Sequence, residues 1–336
     1  MDKTTFSRIG KVEALRLLYE GTPFGPQTKF FPKAKSACVS SQKVLTEGVD
    51  FDLVYFPLKH LGYKAVVMAT GELYAAMAHP RALTVRLGVS SKLDFPQVQE
   101  IWQGIVGAAR EHCFSAVELD LQPSVNGLFI SVGAIGEIPA QTQAKAGKAR
   151  SKDLICISGA LGAAYLGQQV LERQKSEFDA GKLDRSELEK YRMLVGAYLK
   201  PELDSSAVGA LEQAGIYPPH GYFVSRGLSD ALLRLRQDSG LGVKVYADKM
   251  PFEGGSFEFG AKIDADPVSA AMNGGDDCRL LYVVPIDAFE KFRHDFQAYD
   301  IIGHLAQPEC GAVLVAPGGA ELPVKAQGWK NEDTDN

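Results

Sequence analysis

An α/β fold in two domains is what this sequence predicts, and three observations carry that expectation. At 336 residues the chain is long enough to bury two cores. Its apolar residues alternate at period two in some segments and recur at three- and four-residue steps in others, so strands and helices are interleaved. Residues 138–152, rich in Ala, Gln, Lys and Gly, carry almost no large apolar side chain and read as a linker.

The elements follow in order. Residues 61–78 form an alanine-rich helix. Leu83, Val85, Leu87 and Val89 alternate with polar or small residues, as a strand with one buried face should. Val98, Ile101, Trp102, Ile105, Val106 and Ala109 define an amphipathic helix over about 96–113, with Asp94 near its cap. Residues 128–138 read as a second strand. Beyond the linker come a strand at 153–157, a helix starting near Leu161, a charged helical stretch at 184–199, and helices near Ser205 and Leu228. Strands follow at 243–246, 280–284 and 312–316. Residues 175–189, charged on most faces, read as a solvated helical pair or insertion. The domains are expected at 1–140 and 153–330, joined by the 141–152 linker, with 331–336 as a frayed tail.

Composition excludes several classes of partner. A net charge of -5 with both signs spread along the chain provides no basic stripe for nucleic acid and no cationic helix for a membrane surface. The first residues have no apolar signal core, and no segment approaches transmembrane length, so a cytoplasmic protein is expected. The five cysteines show no Cys-x-x-Cys spacing, and most sit in apolar runs, which suits buried or idle thiols.

Chemistry concentrates in Asn273-Gly274-Gly275-Asp276-Asp277-Cys278-Arg279-Leu280-Leu281. Paired glycines permit close backbone approaches, and the adjacent carboxylates are hard oxygen ligands suited to Mg²⁺ or a polar substrate. The same residues also suit a tight turn with solvated acids. This segment resembles the Gly-Gly-Glu-Asp-Tyr-Glu-Leu-Leu motif of bacterial thiamine-monophosphate kinases, members of the aminoimidazole ribonucleotide synthetase superfamily. Further pieces recur in that family's order, among them Thr46-Glu47-Gly48-Val49-Asp50-Phe51, His60-Leu61-Gly62-Tyr63-Lys64, Leu199-Lys200-Pro201-Glu202 and Lys325-Ala326-Gln327-Gly328-Trp329.

The resemblance implies a two-domain synthetase-like fold whose N-terminal domain pairs with a second copy into a dimeric β-barrel, with the active site in a cleft between the domains. It implies transfer of the γ-phosphate of ATP to thiamine monophosphate, with Mg²⁺ held by aspartates from separate loops. Several of the matching positions have changed. The early Gly-Asp-Asp-Ala-Ala loop becomes Ala34-Lys35-Ser36-Ala37-Cys38, and the next expected metal ligand is Lys43. Asp50 stands where a substrate-contacting histidine is expected. Glu72 replaces an aspartate and suits either ligation or a surface or capping role. Asp120 survives in the nucleotide loop, whose glycines have become Glu118 and Leu119. The linker arginine that reaches ATP falls near Ala146, with Lys145 and Lys148 as stand-ins. The Asp-x-Ser-Asp-Gly-Leu motif becomes Phe223-Val224-Ser225-Arg226-Gly227-Leu228, without either aspartate. On the substrate side Asp276 and Asp277 remain, Arg279 replaces an acid, and Trp329 suits either stacking on thiamine or packing at a domain edge.

Charge decides what these exchanges imply. At about 4 Å and an effective dielectric of about 20, each unit of positive charge costs a divalent metal roughly 8 kcal/mol. The expected reading is a kinase-family protein impaired in catalysis that binds ATP or thiamine phosphates as a homodimer. Two alternatives stand beside it. One is an active kinase in which Lys43, Lys145, Ser225 and Arg226 contact phosphate in place of some metals. The other is a non-enzymatic dimer partner of an intact kinase.

Overall fold

The computed structural model describes residues 17–23, 36–179 and 185–325. Contacts divide them into two units that are not continuous in sequence. The first holds the described residues within Met1–Gly147, Leu171–Arg185 and Leu199–Tyr217, and the second those within Lys148–Val170, Ser186–Tyr198 and Pro218–Asn336. The sequence suggests one boundary; in the fold, two later segments return to the first unit.

The first unit is built on β1 (Ala37–Thr46), α1 (Leu58–Ala75), β2 (His79–Ser90), α2 (Phe95–Glu111), β3 (Ala116–Ser124), β4 (Phe129–Ile138) and α3 (Ala140–Lys145). Its sheet runs β1-β4-β2-β3. Strands β2 and β3 are parallel, so they need a crossover, and α2 supplies it. Leu83, Val85 and Leu87 on β2, Ile130, Val132 and Ala134 on β4 and Val117, Leu119 and Leu121 on β3 point to the buried face. The opposite face carries Thr84, Arg86, Glu118 and Asp120 and is more exposed. The sheet is open, and the described residues of the chain form no closed barrel.

Helices α1 and α2 meet backbone to backbone. A Cβ added at Gly62 would lie 2.0 Å from the Ile101 carbonyl oxygen, and one at Gly104 would lie 1.9 Å from that of Lys59. Helix α2 starts where its cap was expected: Asp94 accepts the Gln97 N–H at 3.0 Å, and the Gln97 side chain accepts the Asp94 N–H at 2.9 Å. Replacing Asp94 by alanine should destabilise the first unit by about 1 kcal/mol, read as a lower denaturation midpoint.

The remaining elements are β5 (Leu154–Ile157), α4 (Ala163–Asp179), α5 (Arg185–Lys190), α6 (Arg192–Leu199), α7 (Ala207–Ala214), β6 (Gly221–Val224), α8 (Leu228–Ser239) and β7 (Gly242–Tyr246). They continue as α9 (Ser256–Lys262), α10 (Pro267–Asn273), β8 (Arg279–Val284), α11 (Phe289–Asp295), β9 (Asp300–Ala306), β10 (Ala312–Val315) and β11 (Glu321–Pro323). The second sheet has the order β11-β10-β7-β9-β5-β8-β6. Its core gathers Ile155, Ile157, Leu281, Val283, Val243 and Val245 from the strands against Leu228, Ala231, Leu232 and Leu235 of α8.

The charged stretch at 175–189 is not wholly solvated. Lys175 pairs with Asp52, and Glu187, 6 % exposed, pairs with Lys262, so both carboxylates are neutralised where they are partly or fully covered. All five cysteines are free thiols; Cys156 and Cys278 are buried, and Cys38 and Cys113 are exposed. No helix of the described residues is long and apolar enough to cross a membrane.

Candidate functional site

In the second unit, β8 lies antiparallel to both β5 and β6. The segments following β5 and β6 and the segment preceding β8 therefore emerge at the same end of the sheet. Gly227 and Gly275 shape this cluster. A Cβ at Gly227, at φ 85°, would lie 2.5 Å from the Met272 carbonyl, and Gly275 turns the chain at φ 85°. Asp276 follows at φ 61°, half-buried, and its N–H donates to the Ser225 carbonyl at 3.0 Å. Ser225 is buried, whereas Arg226 is exposed.

The two adjacent acids have different environments. Asp277 is 4 % exposed, and its carboxylate accepts the Gly162 N–H at 2.8 Å and the Ala164 N–H at 3.2 Å. It thus satisfies donors at the first turn of α4 that have no partner within the helix. Burial pushes its carboxyl up to about 7, although the two backbone donors and Arg279 pull the other way. The Arg279 Nε donates to the Ala160 carbonyl at 3.1 Å, and the Leu280 N–H donates to the Ser158 hydroxyl at 2.8 Å. Asp277 and Arg279 therefore tie this loop to the 158–164 turn. Of the acid pair, Asp276 is the one with exposed surface.

The first-unit candidates are dispersed. Lys43 pairs with Glu72 at 3.5 Å, on the face of the sheet covered by α1. Asp120 lies on the opposite face, 3.7 Å from Arg86, in the middle of β3 and not in a loop. Glu72 and Asp120, the two acids expected to share a metal, are therefore separated by the sheet. Asp50 closes a local turn, accepting the Thr46 N–H at 2.7 Å and the Thr46 hydroxyl at 2.9 Å. The Lys145 ammonium bonds the Tyr217 hydroxyl at 3.2 Å and lies 5.0 Å from the ring centroid. Ala34, Lys35 and Trp329 lie outside the described residues. Among the described residues, no three His, Cys, Asp or Glu side chains group closely enough to hold a metal ion. The donor set of the described residues does not fit the Mg²⁺ centre that the sequence resemblance implies.

Residues 29–138 match the family model described as AIR synthase related protein, N-terminal domain. The thiamine-monophosphate kinase of Aquifex aeolicus (strain VF5) is 24 % identical over 84 % of this chain and 88 % of its own length. That of Pyrococcus horikoshii is 26 % identical over 80 % and 78 %. Residues 29–138 thus resemble an AIR synthase related N-terminal domain, and most of the chain is similar to thiamine-monophosphate kinases. Two solved structures share its fold. A thiamine-monophosphate kinase complexed with AMPPCP and TMP has a TM-score of 0.71 at 22 % identity, covering 96 % of this chain and 97 % of that one. The hydrogenase maturation protein HypE in complex with ATP has a TM-score of 0.68 at 16 % identity, covering 95 % and 96 %. The fold these structures share is thus present in a chain where Lys43 pairs with Glu72 and Arg86 with Asp120.

Proposed function

We propose that this chain is a thiamine-monophosphate kinase relative that has lost kinase turnover and retains binding of a nucleotide or a thiamine phosphate, as a cytoplasmic homodimer joined through its N-terminal sheet. The Lys43–Glu72 pair carries this reading. A cation stands at a position where the resemblance expects a metal ligand, and it also neutralises the neighbouring acid, so the pair leaves no net negative charge to hold a divalent cation. Ligand binding is supported by the fold neighbours, which were solved with AMPPCP and TMP or with ATP.

Arg226, exposed beside buried Ser225, is the best-placed cation of the second unit for a phosphate oxygen, and Asp276 is the acid left for the substrate side. Calorimetric titration with ATP, ADP, thiamine monophosphate and thiamine diphosphate tests the proposal. Binding that persists without Mg²⁺, with no thiamine diphosphate formed on incubation with ATP, Mg²⁺ and thiamine monophosphate, is the expected result. Turnover in the ordinary kinase range of about 1–100 s⁻¹ would overturn it.

A further inference from the structure

Helix α3 has 6 residues, too few to be stable alone, and the Leu199–Tyr217 segment of the same unit fixes it in place. The anchor is Glu212 of α7. One of its carboxylate oxygens accepts the hydroxyl of Thr142, which lies in the middle of α3 and is 5 % exposed. The other lies 3.0 Å from Nε2 of His79, where β2 begins. A single side chain therefore ties α3 both to the sheet and to α7.

Helix α7 also sets the position of Tyr217. It ends at Gly215, whose φ of 70° turns the chain, and Ile216 is buried just beyond that turn. The Tyr217 hydroxyl then lies 3.5 Å from the Glu212 carbonyl oxygen and accepts from the Lys145 ammonium at 3.2 Å, with that ammonium 5.0 Å from the ring centroid. Lys43, Lys175 and Lys262 instead end on the carboxylates of Glu72, Asp52 and Glu187, where their charge is cancelled. A phenol ring and the carbonyl end of a helix attract an ammonium without cancelling its charge. Lys145, exposed at the end of α3, thus presents its cation from a fixed place.

We infer that Tyr217 is a positioning residue: it aims Lys145 at a phosphate oxygen of the bound ligand. This rests on the binding of a nucleotide or a thiamine phosphate proposed above and assigns the phosphate of that ligand a cation in the first unit. The tyrosine itself touches no ligand. It acts by limiting where a long, flexible side chain can carry its charge, so less freedom is lost when the phosphate arrives.

Calorimetry on the full chain without Mg²⁺ tests the inference, with ATP in one arm and thiamine mono- and diphosphate in the other. The arm weakened by Lys145→Gln identifies the source of the phosphate. In that arm the substitution should weaken binding by about 10-fold or more, the worth of one charge-assisted hydrogen bond. Tyr217→Leu should weaken it by about fivefold, and Tyr217→Phe, which keeps the ring, by less than about twofold. In a chain that already carries Lys145→Gln, Tyr217→Leu should have no further effect, which a merely structural tyrosine would not give. Unchanged affinity in Lys145→Gln or in Tyr217→Leu, or a Tyr217→Leu loss that persists at full size without the lysine, overturns the inference and leaves ligand binding standing. A wild-type chain that binds in neither arm overturns both.

Discussion

An alanine at Gly104 is expected to destabilise the first unit by about 3 kcal/mol or more, because the added carbon has no room that a side chain could vacate. Its nearest neighbours are main-chain atoms of α1: the Lys59 carbonyl oxygen at 1.9 Å and the Tyr63 nitrogen at 2.9 Å. The helices would have to separate, and that loosens a contact at which Leu61, Val98, Ile101 and Ile105 are all fully buried. Gly62→Ala should behave alike, meeting the Ile101 carbonyl at 2.0 Å. Gly107 is the internal control. It lies in the same helix, is exposed, and would find nothing within 4 Å of an added Cβ. Gly107→Ala should therefore stabilise by up to about 1 kcal/mol through helix propensity. Urea denaturation of the three variants checks the prediction, and equal shifts at Gly104 and Gly107 would refute the close-contact explanation.

The second large effect is a pH dependence from Asp277. Its carboxyl is raised to about 7 in the folded protein from an ordinary value of 3.8. Between those values the folded state holds a proton that the unfolded state has released. Stability contributed by this group is thus full at pH below about 4, falls as pH rises, and is flat above about 7. The loss is on the order of 4 kcal/mol across that window. Asp277→Asn removes the titration, so the stability difference between variant and wild type should move in the variant's favour from pH 4 to 8. A difference constant with pH would show that the carboxylate is no harder to charge inside than outside. The shift is set chiefly by burial, opposed by the two amides of α4's first turn and by Arg279 and reinforced by Asp276.

The sequence was most legible where one periodicity dominated. The α2 helix announces itself through Val98, Ile101, Trp102 and Ile105 and through the Asp94 cap, and β2 through Leu83, Val85 and Leu87. Strand β1 gave no such signal, because its inward row mixes Val39 and Leu45 with Ser41 and Lys43, whose polar ends find partners in the Ala69 carbonyl and Glu72. Strand β3 resembles a nucleotide loop in sequence, since alternation through Val117, Leu119 and Leu121 is short and its exposed face is acidic. The short helices α9, α10 and α11 carry too few turns to stand out.

The site was legible as ancestry and less so as chemistry. Asp276 and Asp277 are indistinguishable in sequence, yet one turns at positive φ with part of its surface open and the other is buried against α4. Only the three-dimensional path of the 274–279 loop separates them. Glu72 and Asp120 likewise look like two members of one ligand set until the sheet is seen to lie between them.

The Lys43–Glu72 pair has a consequence for how such a chain could change over time. Lys43→Asp alone would place two carboxylates across a gap now spanned at 3.5 Å. Aspartate is shorter than lysine, so the carboxylates would lie about 7 Å apart and, at an effective dielectric of about 20, repel by roughly 2 kcal/mol. If the proposed loss of the metal site holds, a single acid restored at position 43 would therefore be selected against unless the other acids were already present. Under the proposed function such an exchange works as a ratchet, since the ion pair that stabilises position 43 also penalises its reversal.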